Sequence, residues 1–128
     1  MVNIIKTGHP KWSWKLNEQY SYRDDRFGGL NVNHEYFTIC GNVMSIRAGY
    51  SYDGVTGFPD KKEWLRGALI HDVMLQAIYD EGLVPMRYLN TSHRIMRDIV
   101  KEDDNTFWGQ LIFGGLMAFH KVWNKVTT

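Results

Sequence analysis

The sequence predicts a single α+β domain over residues 1–128, in which antiparallel strands, including one hairpin, precede three C-terminal helices. Strand-like alternation and turn residues are confined to the first half of the chain, and helical three/four spacing is confined to the second half. A length of 128 residues is enough for one compact domain and too short for two ordinary ones. We therefore divide the chain into a strand-rich segment 1–50, a connector 51–60 and a helical segment 61–125.

The first half contains three segments with the residue pattern of strands. Residues 20–23 alternate and are followed by turn-forming aspartates and glycines. Residues 35–40 and 43–47 flank Gly41-Asn42, a two-residue signal suited to a tight hairpin with positive φ. Ahead of them, residues 8–14 fit an extended arm and an edge strand equally well.

The first predicted helix starts near residue 61 and runs to about residue 80. Asp60 is placed to cap its N-terminus, and Glu63 at the third helical position completes an acidic capping box. Gly82 provides the C-terminal stop, because glycine adopts the left-handed conformation that ends many helices.

Two further helices are predicted after that stop. Pro85 suits the first turn of the second helix, which continues to about residue 100. The polar residues 103–106 then break the chain before a third helix over 107–124. The aromatic residues of this third helix favour packing in the core, with a lipid or protein surface as the alternative.

Composition limits the classes of function. The net charge is +1, from 15 basic and 14 acidic residues, so no nucleic-acid partner is expected. The single cysteine, Cys40, excludes an intrachain disulfide and a cysteine zinc cage, and we expect it to be a small buried residue on a strand. No signal peptide and no transmembrane segment are expected, since no apolar stretch is long enough.

Two histidines lie on predicted helix faces that are otherwise apolar. His71 is in the middle of a stripe on the first helix, and His93 has the equivalent place on the second. If the two helices pack antiparallel, as their short connection favours, the two rings can approach each other. The alternative is a pair of core histidines, each hydrogen-bonded to backbone or to a neighbouring hydroxyl.

Carboxylates accompany these histidines. Asp72 follows His71 directly. Because burial of an unpaired carboxylate is costly, its charge must be stabilised by solvent at the helix edge, by a cation such as Arg66 or Arg87, or by a metal ion. Asp53 on the connector could bring a second carboxylate to the same place, although an ordinary turn also explains it. The candidate ligand set suits zinc, manganese or a similar divalent ion, or calcium if carboxylates and carbonyls dominate; it consists of Asp53, His71, Asp72 and His93.

An ordered series of motifs over residues 43–125 adds a resemblance. The series is Asp53-Gly-Val-Thr with Pro59, then Ala68-Leu-Ile-His-Asp-Val-Met-Leu75, then Arg87 ahead of Ser92-His93, and an aromatic, glycine-containing C-terminal segment. It resembles a tailed-phage family, the domain of unknown function 1353. That family has an Asp-Gly-Ala-Ser-x-Pro loop, a helix with Ala-x-x-His-Asp-x-Leu-Tyr and a second helix with Arg-x-x-Ala-Asp-x-x-Phe.

The helix pair is also similar, more distantly, to that of phospholipase A2. This similarity implies that His71 is a general base, that Asp72 is a metal ligand, and that the loop around Gly54 supplies carbonyl oxygens. The chain departs from the phage-family pattern at two helical positions. His93 replaces the second-helix aspartate, and Leu75 replaces the tyrosine.

These resemblances imply an uncharacterised bacteriophage protein with a metal-assisted hydrolase site on the helix that carries His71 and Asp72. The alternative is a non-enzymatic phage virion or host-interaction protein in which the cluster of His and Asp side chains is structural. The implied partners are phage structural proteins or a component of the host envelope, and the implied location is the host cytoplasm or the phage virion.

Overall fold

The structure is a computed structural model that describes residues 2–8, 14–52, 62–83, 85–104, 106, 110–111 and 114–115. Seven strands precede two α-helices in these residues: β1 (Ile4–Lys6), β2 (Trp14–Leu16), β3 (Tyr20–Arg23), β4 (Leu30–Asn33), β5 (Phe37–Gly41), β6 (Val43–Ile46), β7 (Ser51–Tyr52), α1 (Leu65–Asp80) and α2 (Pro85–Asp103). Short 3-10 helices cover Asp25–Phe27 and Lys62–Trp64.

The strands form two antiparallel sheets. One has the order β1-β2-β7, and the other has the order β3-β6-β5-β4. The loop after β6 joins the sheets, because the Leu16 amide donates to the Tyr50 carbonyl at 2.8 Å and the Gly49 amide donates to the Leu16 carbonyl at 2.7 Å. Both sheets and both helices contribute to one hydrophobic core.

The predicted hairpin at Gly41-Asn42 is confirmed. Cys40 pairs with Val43 across the turn, and Gly41 has φ 62°, a conformation that glycine adopts without steric cost. Burial alternates along β5, with Phe37 and Ile39 pointing inward. Cys40 therefore points outward and is exposed, so the expectation of a buried cysteine is wrong.

The ends of the helices agree only in part with the predictions. Helix α1 starts at Leu65, later than predicted, after the 3-10 turn, and no side-chain hydrogen bond caps it. The predicted cap, Asp60, lies outside the described residues. The end of α1 at Asp80 is confirmed, with Gly82 following at φ 77°.

Helix α2 begins at Pro85 as predicted and ends at Asp103, beyond residue 100. Its C-terminal end lies beside the start of α1, where Gly67 marks the close approach. A Cβ built on Gly67 would be 2.8 Å from Val100 Cγ2 and 3.2 Å from the Met96 carbonyl oxygen. Because the chain reverses between the two helices, they are antiparallel neighbours.

The predicted arrangement of strands and a hairpin with three C-terminal helices is wrong. The structure is α+β, but its described residues contain seven strands in two sheets and only two α-helices. Strands β1, β2 and β7 are two or three residues long, too short to show alternation in the sequence, and β7 falls in the predicted connector. Most of the third predicted helix, residues 107–124, lies outside the described residues.

The polar segment that follows α2 also makes a tertiary contact. Asp104 is buried and accepts a hydrogen bond from Trp64, so the chain after α2 is held against the start of α1. Among the described residues, no helix has the length and hydropathy needed to cross a bilayer.

Candidate functional site

His71 and His93 face each other across the interface of α1 and α2. Their ring centroids are 4.9 Å apart and the ring planes are inclined at 32°. Each residue is only 5% exposed. The predicted approach of the two imidazoles is therefore confirmed.

Helical periodicity puts both rings in this interface. His71 is near the middle of α1, whose residues are buried on almost every side because the helix lies between the sheets and α2. On α2, the predicted stripe is also largely buried, with Ser92, Met96 and Val100 around His93. The close contact at Gly67, one turn before His71, brings the helices near enough for the rings to meet.

Asp72 belongs to a different face of α1 and contacts a different group. Its Oδ2 accepts a 2.7 Å hydrogen bond from the Tyr50 hydroxyl. The side-chain amide of Gln76, one turn along α1, is 2.5 Å from the same hydroxyl. The contacting atom of Gln76 is its Oε1, and because a phenol has one proton, the Tyr50 hydroxyl donates to one of the two oxygens at a time.

Tyr50 is almost completely buried, with 3% of its surface exposed. Burial, followed by the charge of Asp72 and the hydrogen bond to it, raises the pKa of the Tyr50 hydroxyl far above its ordinary value. The hydroxyl is therefore a stable donor to the Asp72 carboxylate throughout the neutral range. Tyr52, two residues later, also faces α1, and its hydroxyl donates to the Leu65 carbonyl at 3.0 Å.

The two arginines suggested as cationic partners of Asp72 have other contacts. Arg66 forms a two-point hydrogen bond with Asp103, with Nε at 2.8 Å and Nη2 at 2.9 Å from its carboxylate oxygens. The guanidinium of Arg87 lies 5.4 Å from the centroid of the Tyr88 ring. The Asp72 carboxylate is instead held by a neutral donor, the Tyr50 hydroxyl.

Of the four predicted metal ligands, the structure brings His71 and His93 together. Asp72 is held by Tyr50 on the neighbouring face, and Asp53 lies outside the described residues. Among the residues that are described, no group of three or more His, Cys, Asp or Glu side chains is placed to hold a metal ion. A complete site would therefore require at least one ligand from outside the described residues.

The histidine pair nevertheless fits two positions of a divalent ion. With metal–nitrogen bonds of about 2.0–2.1 Å and tetrahedral angles, two imidazole ligands have ring centroids about 5 Å apart. The observed separation is 4.9 Å. The same pair also fits a structural role, in which the imidazoles fill a buried interface.

Sequence reasoning missed Tyr50 as a member of this region. Gln76 was signalled by its spacing of four residues from Asp72, which puts both on one helix face. Tyr50 lies well ahead of α1 and had no such signal, because its contact depends on how the sheets sit against the helix. Only its aromatic, glycine-rich neighbourhood distinguished it.

Known proteins give no match. No protein-family model, no curated protein and no solved structure is significantly similar to this chain. The resemblance to the phage family therefore stays a prediction, which depends on the loop that starts at Asp53, the helix with His71 and Asp72, and the second helix with His93.

Proposed function

We propose that this is a tailed-phage protein whose helix pair holds a divalent metal ion and hydrolyses an ester or amide bond, in a substrate of the host envelope. One observation carries the proposal: imidazoles from two different helices, His71 and His93, lie with centroids 4.9 Å apart. Two nitrogen ligands favour zinc over calcium, which prefers oxygen, and an added carboxylate ligand also allows manganese. Asp53 on the connector is the proposed oxygen ligand.

The described residues have distinct parts in this proposal. A bound divalent ion would supply Lewis acidity toward a carbonyl group. His71 and His93 are buried and would hold that ion, whereas Asp72 is partly exposed and can meet a substrate. Asp72, oriented by Tyr50, is the group proposed to exchange a proton with the substrate.

A second candidate is a non-enzymatic virion or host-interaction protein in which these side chains are structural. Two observations favour it. His71 and His93 are each only 5% exposed, and the Asp72 carboxylate already accepts the Tyr50 hydroxyl. In that case the residues stabilise the contact of α1 with α2 and with the sheets, and no metal is bound.

Metal analysis of protein purified without an affinity tag separates the two candidates. We expect native mass spectrometry to detect one zinc or manganese ion per chain, and calcium to bind more weakly. His71→Ala and His93→Ala should each lower the affinity by at least about tenfold. His34→Ala is the matched control. His34 stacks on Phe37 of β5 and does not belong to the pair of His71 and His93.

The proposal is overturned if the wild-type protein takes up none of zinc, manganese or calcium, or if His34→Ala loses as much affinity as the other two variants. Hydrolysis is tested on a panel of chromogenic esters and amides, with and without a chelator. Metal uptake with no hydrolysis by the loaded protein would show that the ion is structural, and would rule out the hydrolase.

A further inference from the structure

The outward face of α2 is basic. Between residues 87 and 101 the exposed positions are Arg87, Asn90, Arg94, Arg97 and Lys101. At about 100° per residue these positions lie within an arc of about 80°, and they extend over about 21 Å of the helix. We call the four cations, Arg87, Arg94, Arg97 and Lys101, the basic face.

The acidic residues of α2 do not neutralise this face, because each is paired with an arginine from another element. Asp98 accepts a 2.6 Å hydrogen bond from Arg26 in the 3-10 turn after β3. Glu102 and Asp103 contact Arg66 of α1 at 3.4 and 2.8 Å. The pair with Asp98 places one additional cation, Arg26, beside the row.

The cations of the basic face remain available to solvent. Arg97 is in contact with Asp98, but the distance is long, 3.4 Å, and the Arg97 side chain is 61% exposed. Exposed ion pairs of this kind contribute little to stability, so Arg97 can exchange its contact with Asp98 for a contact with an anion that binds more strongly. A phosphate is such an anion, because it accepts two parallel hydrogen bonds from one guanidinium.

We propose that the basic face binds the phosphate backbone of a nucleic-acid duplex. A row of arginine and lysine along one helix is the electrostatic footprint of nucleic-acid binding, and a duplex has its negative charges in closely spaced rows. The net charge of +1 led to the opposite expectation, since a whole-chain sum does not show that positive charge is concentrated on one face. This site is separate from the histidine pair, because His93 is buried in the contact with α1.

The residue types on this face disfavour other anionic partners. An interfacial membrane helix needs apolar residues that enter the lipid. Binding of single strands uses exposed aromatic rings on which bases stack. The exposed positions between residues 87 and 101 carry four cations and one asparagine. These side chains can contact phosphate groups.

Fluorescence anisotropy with a labelled duplex of about 20 base pairs tests the proposal. The double variant Arg94→Gln/Arg97→Gln is compared with Lys6→Gln/Arg47→Gln, which removes the same charge from exposed positions associated with the sheets. We expect the first variant to bind at least about tenfold more weakly at about 50 mM salt. Its plot of log affinity against log salt should also be shallower by about two.

The control variant should lose less than about twofold in affinity, and circular dichroism should show that both variants are folded. Three results would overturn the proposal: no saturable binding of the duplex by the wild-type protein at low salt, equal losses in the two variants, or binding to vesicles of anionic lipid in preference to the duplex. The last result would identify a membrane surface as the partner.

Discussion

The indole N–H of Trp64 donates a 3.0 Å hydrogen bond to the carboxylate of Asp104, and both residues are buried. Trp64 directly precedes α1, and Asp104 directly follows α2. This bond therefore joins the open ends of the helix hairpin. Asp104 also accepts a 2.7 Å hydrogen bond from the Thr106 hydroxyl.

We expect Trp64→Phe to lower the free energy of unfolding by about 1–3 kcal/mol, since it leaves a buried carboxylate without its indole donor. Trp14→Phe is the control, because Trp14 Nε1 is buried with no hydrogen-bond partner in the described part of the chain. Its effect should be smaller. Urea unfolding measures both, and equal losses in the two variants would show that the Trp64 bond adds nothing beyond ring volume.

Gly67→Ala should destabilise the protein, although alanine is the better helix former. The new Cβ would be 2.8 Å from Val100 Cγ2, a contact that requires the Val100 side chain or the helix backbone to shift. Overpacking of this kind costs about 1–3 kcal/mol, more than the gain in helix propensity of about 1 kcal/mol. The midpoint of thermal unfolding measures the loss.

A double-mutant cycle with Val100→Ala tests the cause of this loss. Val100→Ala removes the methyl group that the new Cβ would meet, so it should cost clearly less in the Gly67→Ala background than in the wild type. If the two losses simply add, the close approach at Gly67 is not what limits the helix packing.

Arg26→Gln should remove stability that depends on pH. Burial alone raises the pKa of Asp24 and of Asp98, but hydrogen bonds from Arg26 outweigh it and hold both pKa values below the ordinary 3.8. Because a lowered pKa favours the folded state only where the unfolded carboxylate is ionised, this contribution is complete above about pH 4 and is lost as the pH falls further.

At pH 7 we expect Arg26→Gln to cost about 1 kcal/mol, since Arg26 and Asp98 are partly exposed and water screens the pair. The difference from the wild type should shrink as the pH falls below about 4. Arg47→Gln, at an exposed position after β6, should show no such dependence. A difference for Arg26→Gln that is constant from pH 7 to pH 2 would contradict this assignment.

Tyr50→Phe should cost about 1–2 kcal/mol at pH 7, because it removes the donor that holds Asp72. The raised pKa of Tyr50, which burial causes first and Asp72 second, also predicts a dependence on alkaline pH. Above the ordinary value of 10 the unfolded chain releases this proton and the folded chain keeps it, so the wild type loses stability as the pH rises.

Tyr50→Phe should therefore be less sensitive than the wild type between pH 10 and pH 11, and the two stabilities should converge. Tyr79→Phe is the control, since Tyr79 is 67% exposed. Urea titrations at several pH values measure the effect. Parallel curves for the wild type and Tyr50→Phe would mean that the Tyr50 hydroxyl is not a buried donor.

Local pattern was sufficient to predict the helix faces and the central hairpin. The three/four spacing around His71 and around His93 identifies the buried side of each helix, and the short connection predicts antiparallel packing. Gly41-Asn42 predicts the turn because its backbone conformation is a local property. Each of these features is contained in one short stretch of consecutive residues.

The sheet of β1, β2 and β7 and the bond from Tyr50 to Asp72 had no comparable signal. Strands of two or three residues are stabilised by pairing with distant segments, so the sequence around them shows no period. The outward direction of Cys40 and the basic face of α2 also became evident only from burial. Net charge had indicated no electrostatic feature.

The sequence by itself determined where this chain turns, which helical faces are apolar, and that each of two such faces has a histidine at its centre. Only the tertiary structure decided that the two imidazoles meet, that Asp72 binds Tyr50 on another face, and that the cations of α2 form one exposed row. The physical reason is that periodicity records local backbone geometry, whereas contacts between distant residues depend on how whole elements pack.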